Sequence, residues 1–180
     1  MPSPLDDLNR LLDPTYLADV DALSLDDIRR MRAECQEAEG SLSYLRRLIQ
    51  GRMDIVHAYL ERPEGTDAPD LSSLVDNLAG ILAGPGRPSG PGRNPILHSP
   101  DTEDMAGLTS ELDDILGVDQ IGRLGELDDE ELRDLANRLR ELENRVSAQR
   151  HGLHERIDSL QAELVERHKS GRASVDGLLS

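Results

Sequence analysis

Apolar residues recur along the chain in two long runs that step alternately by three and four. The first passes through Ile28, Met31, Cys35, Ala38, Leu42, Leu45, Ile49, Arg52, Val56 and Tyr59, and only Arg52 is polar. This alternation is a heptad seam, the a and d positions of a helix that pairs with another helix. The second passes through Leu132, Leu135, Leu139, Leu142, Val146, Gln149, Leu153, Ile157, Leu160 and Leu164, with a stutter in the two four-residue steps around Leu153. Ser24, three residues before Asp27, predicts a helix N-cap, and Pro63 predicts the end of that helix. The pattern therefore predicts two helices, over residues 24–62 and 132–169, each of about 38 residues and roughly 57 Å long at 1.5 Å per residue.

The segments around these helices are weaker in pattern. Residues 1–23 form an acidic arm whose apolar positions, interrupted by Pro14, suggest one or two short amphipathic turns. Residues 63–131 form a connector, of which 84–95 (GPGRPSGPGRNP) is too dense in Gly and Pro for helix or sheet and reads as disordered. On either side lie short amphipathic candidates at 70–83 and 108–124, which are either caps on the hairpin or docking elements for a partner. Residues 170–180 are a tail. The expected fold is all-α: an antiparallel two-helix coiled-coil hairpin with a long, partly disordered connector and short accessory helices. Placing Arg46 opposite Arg150 makes facing residue numbers sum to 196, sets Arg62 against Asp134 and Ile28 against His168, and leaves no overhang.

Composition narrows the function. The 180 residues carry 36 acids against 20 bases, a net charge of −16, and contain neither Phe nor Trp. A core without large aromatics suits an elongated helical protein. The acidity argues against direct nucleic-acid binding and favours a basic protein partner. Residues 63–131 hold 16 acids against 3 bases, whereas 24–62 hold 7 against 7 and 132–180 hold 8 against 9. Nearly all the excess charge thus lies outside the paired helices, which could themselves accept an anion. Cys35 is the sole cysteine, so no disulfide framework is expected. No apolar run approaches a membrane span, and Met1 to Asp7 lacks the basic and apolar regions of a signal peptide, so a cytoplasmic location is expected.

Each long helix carries a copy of one polar motif. Glu39, Ser43, Arg46, Gln50 and Asp54 have the spacing E-x3-S-x2-R-x3-Q-x3-D, and Glu143, Ser147, Arg150, His154 and Asp158 repeat it, with four of five positions identical. The first four residues of each copy follow seam residues directly, at e, b, e and b positions, so both copies should line one shared edge of an antiparallel pair. In the 196 register Glu39 lies near Asp158 and Asp54 near Glu143, an approximate two-fold arrangement suited to a two-fold symmetric ligand. Gly51 and Gly152, costly within helices, suggest positions where something approaches the backbone. The side chains suit guanine. Arg offers a planar fork for O6 and N7 and can stack on a base, Asp accepts from Watson–Crick N–H groups, and Ser, Gln or His can serve phosphate or ribose.

At these ten residues the sequence resembles the RsiG family of anti-sigma factors from spore-forming actinobacteria. The resemblance covers the two long helices. It implies that an intercalated dimer of cyclic di-GMP sits on the coiled coil, held by Glu39, Ser43, Arg46, Gln50, Asp54, Glu143, Ser147, Arg150, His154 and Asp158. It further implies that the loaded form sequesters a WhiG-type (flagellar) sigma factor and so represses sporulation genes. His154 departs from the pattern by replacing Gln, which keeps a donor and adds a group of a type that titrates near neutral pH.

Other readings of the same residues are less specific. One is a ligand-independent acidic adaptor whose motifs are solvated flanks with intrahelical ion pairs. Arg52 reads as a flank residue reaching past the seam rather than a phosphate ligand. His151 and His154 lack converging ligands for a metal, and Ser43 and Ser147 lack an activating base, so no enzyme is expected. Both motif copies lie on one chain, so the hairpin is expected to work as a monomer.

Overall fold

A computed structural model describes residues 4–62 and 102–170. Five α-helices are present among these residues: α1 Pro4–Leu12, α2 Leu25–Leu60, α3 Thr102–Leu116, α4 Val118–Ile121 and α5 Asp129–Lys169. Single 3-10 turns lie at Val20–Ala22 and Leu124–Glu126, and no strand occurs among the described residues. The protein is all-α. The amphipathic segment at 70–83 and the Gly/Pro stretch at 84–95 lie outside the described residues.

Local chemistry explains where the long helices start. At α2 the Asp27 N–H donates to Ser24 Oγ at 3.1 Å, while the Ser24 hydroxyl donates to Asp27 Oδ2 at 2.7 Å. At α5 Asp128 Oδ1 accepts from the N–H groups of Glu130 and Glu131, both at 2.9 Å, and Glu131 Oε2 accepts from the Asp128 N–H at 3.0 Å. That reciprocal capping box starts α5 at Asp129, three residues ahead of the seam's first leucine.

The chain divides into two compact units, Met1–Ser43 with Ser147–Ser180, and Tyr44–Val146. In the first, Ile28, Cys35 and Leu42 of α2 are buried with Leu153, Leu160 and Leu164 of α5. Arg32 donates to Gln161 and Arg150 to Glu39, so low numbers on α2 meet high numbers on α5 and the helices are antiparallel. Leu8 and Leu11 of α1 join this core. In the second unit Leu45, Ile49, Val56 and Tyr59 of α2 are buried with Leu132, Leu139, Leu142 and Val146 of α5, and α3 adds Leu112, Ile115 and Leu116. The long helices thus pair as a hairpin along the predicted seams.

Three arginines fasten the accessory elements. Arg52 donates through Nη1 to the carbonyls of Leu112 (2.9 Å) and Leu116 (2.5 Å) and through Nη2 to Asp113 (2.7 Å), at the C-terminal end of α3. Arg156 reaches Leu12 O at 2.6 Å and Asp13 O at 3.2 Å, at the end of α1. The buried Arg167 donates to Leu23 O and, at 2.7 Å, to Val20 O around the first 3-10 turn, and Glu163 holds its Nε at 2.6 Å. The last carbonyls of a helix have no partner within it, and the negative end of its dipole attracts a cation. Arg52 therefore interrupts the seam because it holds α3; it is more than a flank residue reaching for water.

Candidate functional site

The unit built from 1–43 and 147–180 holds six of the ten motif residues: Glu39, Ser43, Ser147, Arg150, His154 and Asp158. Glu39 is their centre. Its Oε1 accepts from the Ser43 hydroxyl one turn along α2 at 2.6 Å and from Arg150 of α5 through Nε (3.1 Å) and Nη2 (2.8 Å). His154 Nε2 lies 3.4 Å from the same oxygen, an ion pair whenever the imidazole is protonated. Partial burial pushes the Glu39 carboxyl up, but the Ser43 hydroxyl, the Arg150 guanidinium and the His154 charge outweigh it and hold the group below its ordinary value. Asp158 is exposed and Ser147 half-buried.

The unit of residues 44–146 holds Arg46, Gln50, Asp54 and Glu143. Arg46 Nε donates to Glu143 Oε1 at 2.7 Å; Gln50 is half-buried and Asp54 exposed. Both cross-pairs keep their carboxylates better covered than a surface ion pair, at 17% exposure for Glu143 and 20% for Glu39, while the arginines stay at 36% and 23%.

These two pairs are one pair with the copies exchanged. Arg46 of the first copy takes the Glu of the second, and Arg150 of the second takes the Glu of the first. In both, the residue numbers sum to 189 rather than 196. The expected register set Glu39 beside Asp158 and Glu143 beside Asp54, like charges facing, whereas the observed contacts bring each carboxylate to a guanidinium. Electrostatics at the edge favours the second arrangement. The glycines also separate. A Cβ on Gly152 would lie 3.0 Å from Leu12 Cδ2, so what approaches that backbone is α1, and a Cβ on Gly51 would meet nothing within 4 Å.

Sequence reasoning found no role for Arg156 or Arg167 and placed Arg52 differently; their targets are backbone carbonyls, which no residue pattern announces. Among the described residues, no group of three or more His, Cys, Asp or Glu side chains could hold a metal ion, and no helix is long and apolar enough to cross a membrane.

The family model of RsiG-like proteins matches residues 14–82 and 119–180, most of the chain. The chain belongs to the RsiG-like family. No curated protein matches it. Both cross-pairs lie within the matched residues, as do Arg52, Arg156 and Arg167. RsiG-like membership points to an anti-sigma factor role, with a sigma factor in general as partner, and to a regulatory protein rather than an enzyme.

Proposed function

We propose that the chain is an anti-sigma factor gated by cyclic di-GMP. Two molecules of the nucleotide bind on the repeated motifs, and the loaded protein sequesters a sigma factor of the WhiG, flagellar type, repressing sporulation genes. The observation that carries this reading is the reciprocal pairing of Arg46 with Glu143 and Arg150 with Glu39. A guanidinium presents five N–H donors, and Glu39 engages the Nε and Nη2 of Arg150, so the glutamate orients that arginine without exhausting it. An arginine already held in place loses less side-chain entropy when a ligand arrives.

In this mechanism Arg46 and Arg150 meet guanine O6 and N7 or phosphate, and the exposed Asp54 and Asp158 accept from guanine N–H groups. Ser43, Ser147, Gln50 and His154 complete the polar contacts. No bond is made or broken; the nucleotide builds a composite surface for the partner. Calorimetric titration tests the first step. Arg46→Ala and Arg150→Ala should each weaken cyclic di-GMP binding by about 1 to 3 kcal/mol, as loss of a good bidentate contact does. Wild-type affinity in the double variant would end the reading. Pull-down of the sigma factor with and without nucleotide separates a gated protein from a constitutive adaptor, which binds equally in both.

A further inference from the structure

At the start of α5, the end of α3, the short α4 and the 3-10 turn after it enclose a groove of about 730 Å³, wholly within the unit of residues 44–146. Its lining includes Ile115, Leu116, Leu124, Leu127 and Leu135. Leu135 occupies a seam position but is only half-buried, unlike Leu132 and Leu139 on either side of it, and Leu127 is half-buried as well. Leu127 and Leu135 thus keep part of their apolar surface uncovered at this end of α5. Six carboxylates surround this apolar lining, those of Asp114, Glu126, Asp128, Glu130, Glu131 and Asp134, against the two guanidiniums of Arg123 and Arg138. Asp128 and Glu131 are committed to the capping box and Glu126 pairs with Arg123 at 3.2 Å. Asp114, Glu130 and Asp134 are exposed and make no side-chain ion pair among the described residues.

Partly exposed leucines ringed by unspent negative charge fit one kind of occupant. We propose that this groove docks a basic amphipathic helix of the protein that the chain sequesters, its apolar face on Leu127 and Leu135 and its lysines or arginines against Asp114, Glu130 and Asp134. This rests on the anti-sigma reading in taking the occupant from the partner. The connector's own apolar segment at 70–83 fits less well, because its charged residues are Asp70 and Asp76 and both would face carboxylates. The groove shares no residue with the repeated motifs, so partner docking here is separable from nucleotide binding.

The test uses the full chain and a fluorescein-labelled helical peptide of leucine and lysine at heptad spacing, with a leucine–glutamate peptide as its counterpart. Asp114→Lys with Asp134→Lys should weaken the lysine peptide about tenfold or more by anisotropy, whereas Glu141→Lys with Glu166→Lys, an equal change of charge away from the groove, should weaken it about twofold or less. Leu127→Asn, which changes no charge, should also weaken it, with circular dichroism confirming the helices in every variant. Equal losses in the two charge pairs, or equal binding of both peptides, would overturn the proposal. Tighter peptide binding after Leu74→Ser, Leu78→Ser and Ile81→Ser would overturn it too, by showing the connector to be the occupant. Cyclic di-GMP titration runs in parallel. A chain that ignores the nucleotide yet takes the lysine peptide at the groove removes the gating reading and supports this one.

Discussion

At Glu39 three donors, the Ser43 hydroxyl and two N–H groups of Arg150, converge on one oxygen of a partly buried carboxylate, and the consequence is a pH dependence of definite sign. Its carboxyl is held below the ordinary value in the folded chain, so folding releases a proton that the unfolded chain retains at low pH. The stability it contributes is complete above the unfolded carboxyl value, near 4.3, and is lost as pH falls through the folded one. Glu39→Gln should flatten the urea-denaturation midpoint between about pH 5 and 3 relative to wild type, at a cost of about 1 kcal/mol at pH 7 for an ion pair that is still partly solvated. An unchanged acid limb would place the titration elsewhere. The same glutamate shows what the spacing of the motif could reveal. Edge position and residue type follow from the heptad, but which of Arg150, His154 and Asp158 reaches Glu39 depends on an axial offset of a few residues, and leucine seams barely discriminate between such offsets.

Among the elements, α3 depends on one guanidinium. Arg52 is 11% exposed and supplies three hydrogen bonds to the last turn of that helix. Arg52→Met keeps the apolar stem and removes the donors, so it should cost about 2 to 3 kcal/mol, the range for hydrogen bonds to a charged group. The loss should be local: amide hydrogen exchange ought to quicken in 107–116 while Leu45 to Ile49 of α2 stay protected, and uniform acceleration would contradict the local picture. The two long helices were legible because an apolar seam sustained over many turns is satisfied by little besides a pair of helices. The accessory helices were legible only as amphipathic candidates, since what fixes them is an arginine some sixty or one hundred and forty residues distant bonding to carbonyls that every residue possesses. The start of α5 was within reach, because Asp128 and Glu131 stand at capping-box spacing just ahead of the seam.

For the molecule as a whole, the net charge of −16 lies mostly outside the two long helices, whose own charge is close to balanced, and the proposed function assigns a basic partner to the acidic segments and the nucleotide to the neutral edge. Binding linkage then requires reciprocity. If cyclic di-GMP tightens the sigma complex tenfold, a saturating sigma factor must tighten nucleotide binding tenfold, about 1.4 kcal/mol either way, and calorimetry on the free and complexed chain should return the same factor. An unaltered nucleotide affinity beside a nucleotide-dependent pull-down would break the two-site scheme. The exchanged glutamates also tie the two motif copies to each other. Each arginine leans on an acid contributed by the other copy, so a loss at 39 is felt at 150 and a loss at 143 is felt at 46, and neither row of side chains can be altered without unsettling its counterpart on the facing helix.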